Sequence, residues 1–215
     1  MQERRNWWSA IPPNKPVILV GAATVPPAWN DHNTLRDKVG ADHIVRVEMG
    51  PYNNNNSGET LEIPFRDYLH YLELYEKEDG PLLYLAQNDL PDGLRDDFVL
   101  DVPDDRKLYQ TMWWMGPQGC VSPLHYDPLD NFLCQMVGRK QVLLVDPRAT
   151  DPETLCVGRE YGQQVNTSAM DVEQLEGIPK WEGLLEPSDV LYIPSKWWHY
   201  VRSLESSISV NVWWR

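Results

Sequence analysis

The stretch Ser122-Pro123-Leu124-His125-Tyr126-Asp127 places an imidazole and a carboxylate at alternate positions. In an extended strand, alternate side chains lie on the same face. His125 and Asp127 would therefore point the same way and could bind one metal ion. A His-x-Asp triplet also arises by chance in an acidic chain, where it forms a surface ion pair, so the surrounding sequence must distinguish the two interpretations.

A third candidate ligand, His199, lies in the stretch Ile193-Pro194-Ser195-Lys196-Trp197-Trp198-His199-Tyr200-Val201. Two histidines and one carboxylate on one side of a metal ion leave the opposite coordination positions open. This facial triad is typical of non-haem Fe(II) oxygenases. The sequence therefore offers His125, Asp127 and His199 as candidate ligands of one metal ion.

Lys140 follows a predicted hairpin at Gly138-Arg139 and alternates with Val142 and Leu144 along the next strand. A lysine on an apolar face needs an anionic partner, because burial of an unpaired ammonium group is costly. A cosubstrate that carries a carboxylate would supply that partner. The alternative is a lysine at a strand end whose ammonium group reaches solvent.

Short strands follow one another from Leu108 to the end of the chain. They are predicted at residues 108–115, 121–127, 131–137, 140–146, 189–193 and 198–214, the last with a break near Glu205. Between them, residues 147–180 form a long connection in which a helix is predicted near residues 170–175. Strands at short intervals with turn signals between them indicate a β-sandwich or barrel. The absence of strand–helix alternation and of a glycine-rich phosphate loop argues against a doubly wound nucleotide-binding fold.

The first half of the chain supplies the predicted helices, which we expect to cover the outside of the barrel. The strongest helix signal opens at Pro64 and has apolar residues spaced by three and four, namely Phe65, Tyr68, Leu69, Leu72 and Tyr75. A shorter helix is predicted with Asn33 as its cap and Gly40 as its stop. Strands are predicted at residues 16–21, 43–49 and 81–87, and a loop at residues 50–60.

Composition limits the number of domains and the kind of partner. With 215 residues and 42% hydrophobic content, the chain can form one compact domain with a sizeable core or at most two small ones. No domain boundary is visible, so we predict one domain over residues 1–215 with an extended arm at residues 1–16. The formal net charge of −13 argues against direct nucleic-acid binding and favours a basic protein or peptide as partner.

The cysteine content and hydropathy predict a nuclear or cytoplasmic location. The three cysteines, Cys120, Cys134 and Cys156, cannot all pair with one another. No secretory signal pattern opens the chain, and no apolar run is long enough to span a bilayer. These features favour a reducing compartment and no membrane association.

Several motifs together resemble the jumonji-C (JmjC) family of Fe(II)- and 2-oxoglutarate-dependent oxygenases. They are residues 114–119, 122–127, 131–132, 138–140, 189–194, 198–201 and 209–214. The resemblance spans most of residues 14–215 and is strongest to the JmjC domain-containing protein five group, described as protein arginyl hydroxylases and as histone lysine demethylases. One departure is Ser188 in Pro187-Ser188-Asp189, where the family usually has glycine before the aspartate.

The resemblance implies a double-stranded β-helix, also called a cupin or jelly-roll barrel, with flanking helices. It implies that His125, Asp127 and His199 bind Fe(II), and that 2-oxoglutarate and O2 are cosubstrates. The residues implied to hold 2-oxoglutarate are Lys140 with Tyr84, together with Ser122 and Asn131. Hydroxyl and ammonium donors of this kind suit a buried carboxylate.

We expect the substrate to be an arginine side chain of a protein. Glu48 lies on a predicted strand face with Ile44 and Arg46, which is solvated by default but could turn Glu48 into a pocket. A carboxylate matches a guanidinium group, and the resemblance places Trp114 and Trp213 along the substrate channel, where indole faces stack on guanidinium. The alternative within the same class is demethylation of N-methyl-lysine.

Two further function classes remain as alternatives. A catalytically silent cupin binding module would be indicated by loss of a triad residue, and none is lost. A cupin enzyme with another metal and no 2-oxoglutarate usually has more histidines, whereas His32, His43 and His70 lie outside the predicted barrel pattern. Lys140 also has no role in that last alternative.

Overall fold

The computed structural model describes residues 11–12, 14–49, 59–75, 80–98, 100, 106–149, 152–155, 166–168 and 170–215. Twelve strands lie in these ranges. They are β1 (Val17–Leu19), β2 (Ile44–Met49), β3 (Glu59–Pro64), β4 (Leu83–Asp89), β5 (Leu108–Gly116), β6 (Val121–Tyr126), β7 (Asp130–Val137), β8 (Lys140–Val145), β9 (Trp181–Leu185), β10 (Val190–Ile193), β11 (Trp198–Ser203) and β12 (Ser207–Trp214). Most of the predicted arm and Cys156 lie outside the described residues.

The strands form two antiparallel sheets. The larger has eight strands in the order β1-β10-β7-β12-β5-β4-β2-β3, and the smaller has four in the order β6-β11-β8-β9. Apolar side chains between them join the sheets, among them Leu133 of β7, Val142 of β8, Leu191 of β10 and Val201 of β11. This two-sheet jelly-roll confirms the mainly β prediction.

The helices of the first half pack with the larger sheet, whereas Leu155 of a later helix packs with Leu124, Leu143 and Trp198 of the smaller sheet. The helices are α1 (His32–Val39), α2 (Phe65–Tyr75), α3 (Asp92–Arg95) and α4 (Pro152–Leu155), with single 3₁₀ turns at Pro27–Asn30 and Val172–Gln174. Four residues of the predicted stripe of α2, Phe65, Tyr68, Leu69 and Leu72, are buried in the core cluster that includes Trp113 and Phe132, whereas Tyr75 is only partly buried. Within the described residues, no helix is long and apolar enough to cross a membrane.

Three local predictions were wrong. The cap of α1 is Asp31, not Asn33, because the Asp31 carboxylate accepts a hydrogen bond of 2.8 Å from the Thr34 backbone N–H. The helix predicted near residues 170–175 is only the 3₁₀ turn. The predicted loop at residues 50–60 ends earlier, since β3 begins at Glu59.

Two short strands were not predicted, β3 and β9, and both lie at sheet edges. An edge strand pairs on one side only, and most of its side chains here are exposed. Such a strand does not need the alternation of apolar and polar residues that reveals a half-buried strand. The remaining predicted strands of the second half are all present within a residue or two of their expected bounds.

Candidate metal centre

Two neighbouring strands of the smaller sheet bring the triad together. His125 on β6 and His199 on β11 are direct cross-strand partners, and the centres of their rings are 4.1 Å apart. Asp127 follows the last residue of β6. Its Oδ2 atom lies 3.7 Å from Nε2 of His199, and one ligand atom from each of the three residues lies within 4.8 Å of the others. The predicted ligands therefore converge on one point.

Backbone carbonyl groups fix the orientation of both imidazoles. The Nδ1 atom of His125 lies 2.7 Å from the carbonyl oxygen of Pro123, and that of His199 lies 2.9 Å from the carbonyl oxygen of Trp197. Since a carbonyl can only accept, each Nδ1 carries the proton and each Nε2 keeps a free lone pair for a metal. In both cases the carbonyl belongs to the residue two positions earlier.

Burial keeps His199 neutral. Its pKa is lowered to about 4, first by burial and then by the neighbouring His125, while Asp127 opposes the shift. A neutral imidazole is the form that binds a metal. Two imidazoles and a carboxylate are a donor set suited to Fe(II).

Asp127 is held by side chains from the larger sheet. Its Oδ2 atom accepts hydrogen bonds of 2.9 Å from the indole Nε1 of Trp213 and of 3.4 Å from Nδ2 of Asn131. The Asn131 carbonyl oxygen in turn accepts a hydrogen bond of 2.9 Å from Nδ2 of Asn211. Asn211 was not predicted, because its contact with Asn131 depends on the register between β7 and β12.

Lys140 is buried beside the triad. Only 1% of its surface is exposed, and its Nζ atom donates a hydrogen bond of 3.1 Å to the Tyr84 hydroxyl. Burial lowers the pKa of Lys140 to about 8. Among the described residues, no carboxylate lies within salt-bridge distance of its ammonium group. A carboxylate of a bound ligand would therefore provide the anionic partner of the Lys140 ammonium group.

The triad and Lys140 line one cavity. The predicted cosubstrate residues Tyr84, Ser122 and Asn131 line it as well. Burial raises the pKa of the Tyr84 hydroxyl well above its ordinary value, while the nearby Ser122 side chain opposes the shift. The structure thus places all the residues predicted to bind the metal or 2-oxoglutarate around a single space.

Comparison with known proteins identifies the family. A family model described as a cupin-like domain matches residues 4–215. The "Jumonji C domain-containing protein 5" of Drosophila melanogaster is 32% identical over 222 residues, which cover 93% of this chain and 54% of that protein. The chain belongs to the cupin-like JmjC family.

Other JmjC relatives carry a different name. A "Lysine-specific demethylase 8" of Danio rerio is 36% identical over 226 residues, covering 95% of this chain and 54% of that protein. "Lysine-specific demethylase JMJ30" of Arabidopsis thaliana is 32% identical over 218 residues, covering 94% of this chain and 50% of that protein. The chain spans about half the length of these curated relatives. The resemblance noted in the motifs is thus confirmed at the level of the family.

A larger cleft adjoins the cavity lined by the triad and shares His125 and Asp127 with it. Glu48 and Trp114 line it, and Trp213 lines the inner cavity that adjoins it. Glu48 is half-buried, and burial raises its pKa although nearby Arg46 opposes the shift. No cation lies within salt-bridge distance of Glu48 in the described part of the chain. The cleft therefore presents a carboxylate without an ion pair.

Gln87, Asn166 and Thr167 are among the polar residues of the cleft that were not predicted. Gln87 lines both spaces and has a φ of +51° at an irregularity of β4, where the register with β5 shifts between Leu85 and Asn88. Asn166 and Thr167 reach the cleft because their segment pairs with β6. A register irregularity and an isolated β-bridge have no periodic signature, so the sequence alone could not place these residues.

Proposed function

We propose that this JmjC domain is an Fe(II)- and 2-oxoglutarate-dependent oxygenase that acts on a basic side chain of a protein. The observation that carries the proposal is the buried Lys140 ammonium group, without a carboxylate partner among the described residues, in the same cavity as the His125, Asp127 and His199 triad. A metal site with an open side and an unpaired buried cation together match a 2-oxo acid that carries a second carboxylate.

Each residue of the cavity has a distinct part in the proposed reaction. His125, Asp127 and His199 would hold the iron, and Lys140 with the Tyr84 hydroxyl would bind the far carboxylate of 2-oxoglutarate. Ser122 and Asn131 would supply further hydrogen bonds in that pocket. When bound, iron and 2-oxoglutarate supply the oxidative chemistry that breaks a C–H bond. The chain orients that bond and limits the access of water.

We infer that the preferred substrate is an arginine side chain, hydroxylated on carbon. Glu48 supports this inference, because a half-buried carboxylate without an ion pair matches the paired donors of a guanidinium group. Trp114 and Trp213 offer indole faces beside the same path. The net charge of −13 would attract a basic segment to the cleft. The expected nuclear or cytoplasmic location remains a prediction.

Demethylation of N-methyl-lysine is a second candidate, and the names of the relatives from Danio rerio and Arabidopsis thaliana favour it. The tryptophans of the cleft would serve a methylated ammonium group as well as a guanidinium group. Glu48 distinguishes the two substrates, because a guanidinium group can donate hydrogen bonds to the Glu48 carboxylate and the ammonium group of trimethyl-lysine cannot.

Mass spectrometry of basic peptides tests the proposal. Matched peptides that carry either arginine or methyl-lysine are incubated with the protein, Fe(II), ascorbate and 2-oxoglutarate. We expect the arginine peptide to gain one oxygen atom, and His125→Ala to abolish that gain. If the methyl-lysine peptide loses methyl groups while arginine stays unmodified, the demethylase function replaces the proposed one.

A further inference from the structure

The larger sheet reaches across to hold a metal ligand that belongs to the smaller sheet. Trp213 of β12 and Asn131 of β7 are cross-strand partners, and both donate hydrogen bonds to the same oxygen, Oδ2 of Asp127. Two donors on one carboxylate oxygen restrain rotation of the carboxyl group. The Trp213 bond at 2.9 Å is the shorter of the two.

The second donor is itself fixed. Asn131 is 1% exposed and Asn211 is 6% exposed, and the amide of Asn211 donates to the carbonyl oxygen of Asn131. This bond determines which end of the Asn131 amide faces Asp127, because only the NH₂ end can donate to a carboxylate. Asn211 and Trp213 are alternate residues of β12 and therefore share a face.

We propose that Trp213 and Asn131 are positioning residues for the metal-binding carboxylate, with the Trp213 N–H setting the affinity and geometry of the metal site. This gives Trp213 a role beyond that of an aromatic face for the substrate. The inference rests on the metal site of the proposed function. Partners that orient a metal ligand typically change metal affinity by about 10- to 100-fold when they are removed.

Trp114 provides a matched control within the same cavity. Like Trp213, it lines the cavity, but its indole Nε1 is buried without a hydrogen-bond partner among the described residues. Trp114→Phe therefore removes an indole without removing a bond to Asp127. Trp213→Phe keeps an aromatic ring of similar shape and removes the N–H that Asp127 accepts.

The experiment measures metal binding without 2-oxoglutarate or peptide. Free Mn(II) is counted by electron paramagnetic resonance during titration of the wild type, Trp213→Phe and Trp114→Phe, and the visible spectrum of the Co(II)-loaded proteins reports the coordination geometry. We expect Trp213→Phe to weaken Mn(II) binding by about tenfold or more and to alter the Co(II) spectrum. Trp114→Phe should leave both within about twofold of the wild type. Thermal unfolding of the metal-free proteins checks that each variant is folded.

A second variant covers the case in which Trp213→Phe does not fold. Asn131→Leu combined with Asn211→Leu removes the other donor without leaving one buried amide unpaired, and it too should weaken Mn(II) binding. Wild-type affinity in the folded variants, or an equal loss in Trp114→Phe, would overturn the positioning role alone. A wild-type protein that binds no Mn(II) would overturn the proposed function and this role with it.

Discussion

At the scale of single residues, Lys140 carries the most information about the site. Its alternation with Val142 and Leu144 predicted an inward-facing lysine, and the structure confirms its burial next to the triad. Sequence could predict this much because alternation along a strand directly specifies a face. It could not predict the bond between Trp213 and Asp127, which joins residues of two sheets.

We predict that Lys140→Met weakens 2-oxoglutarate binding by about 2–5 kcal/mol, because a buried carboxylate loses its cation. Titration of 2-oxoglutarate into the Mn(II)-loaded variant measures the effect. Mn(II) affinity itself should change far less. Unchanged 2-oxoglutarate affinity would place Lys140 outside the binding site.

The lowered pKa of Lys140, about 8, predicts two effects of pH. In the unliganded protein the folded state binds fewer protons than the unfolded state between pH 8 and the ordinary lysine pKa of about 10.4, so stability rises with pH through that window. Binding of 2-oxoglutarate requires the charged form, so its apparent affinity should be constant below pH 8 and fall above it. Denaturant unfolding and 2-oxoglutarate titrations at each pH, with Lys140→Met as the control, check both trends. A flat affinity between pH 7 and 9.5 would contradict this prediction.

Glu48 is the residue on which the choice of substrate depends. We predict that Glu48→Gln lowers kcat/KM for an arginine peptide by about 10- to 100-fold, because a charged hydrogen-bonding partner is lost. Affinities for Mn(II) and 2-oxoglutarate should not change. Glu62→Ala is the matched control, since Glu62 is an exposed carboxylate on the adjacent strand β3 that does not line the cleft. Equal effects of the two substitutions would indicate a general charge effect instead.

At the scale of elements, the turn between β9 and β10 shows why the family usually has glycine where this chain has Ser188. Ser188 has a φ of +80°, and the backbone N–H of Asp189 bonds to the carbonyl oxygen of Glu186 at 3.0 Å. Proline followed by a residue with positive φ fits a type II turn, whose third position favours glycine. The Asp189 carboxylate further fixes the turn by accepting hydrogen bonds from the backbone N–H groups of Gly21 and Glu186.

We predict that Ser188→Gly raises the free energy of unfolding by up to about 1 kcal/mol. Relief of the left-handed conformation gains about 1–2 kcal/mol, and the greater freedom of glycine in the unfolded chain offsets part of it. Denaturant unfolding measures the change, with Ser195→Gly as a control. Destabilisation by Ser188→Gly would show that the serine side chain matters more than the backbone conformation.

Strands buried on both faces were predicted from the sequence, whereas two of the strands at the sheet edges were not. The strands β7, β8 and β12 are buried on both faces and therefore consist mainly of apolar residues. These apolar runs allowed the strands to be predicted correctly. Sequence patterns did not predict the edge strands β3 and β9 or the irregularity at Gln87. Their positions depend on the strands with which they pair and not on their own composition.

At the scale of the whole molecule, the acidic charge predicts how salt affects substrate binding. With a net charge of −13, the protein should attract a basic peptide less strongly as ionic strength rises, because salt screens exposed charges. The KM for an arginine peptide should therefore increase between low and physiological salt, while binding of 2-oxoglutarate at buried Lys140 should change less. Steady-state kinetics at several salt concentrations test this, and a salt-independent KM would argue against steering by charge.

If the triad and Lys140 form one oxygenase site, turnover of 2-oxoglutarate requires both iron and the intact triad. Succinate formed from 2-oxoglutarate is measured for the wild type with and without Fe(II), and for His125→Ala and Asp127→Ala with Fe(II). We predict that succinate forms only in the wild type with Fe(II), because each substitution removes a ligand from the site. Undiminished turnover in both variants, or turnover by the wild type in the absence of iron, would show that His125, Asp127 and His199 do not form an iron-dependent oxygenase site.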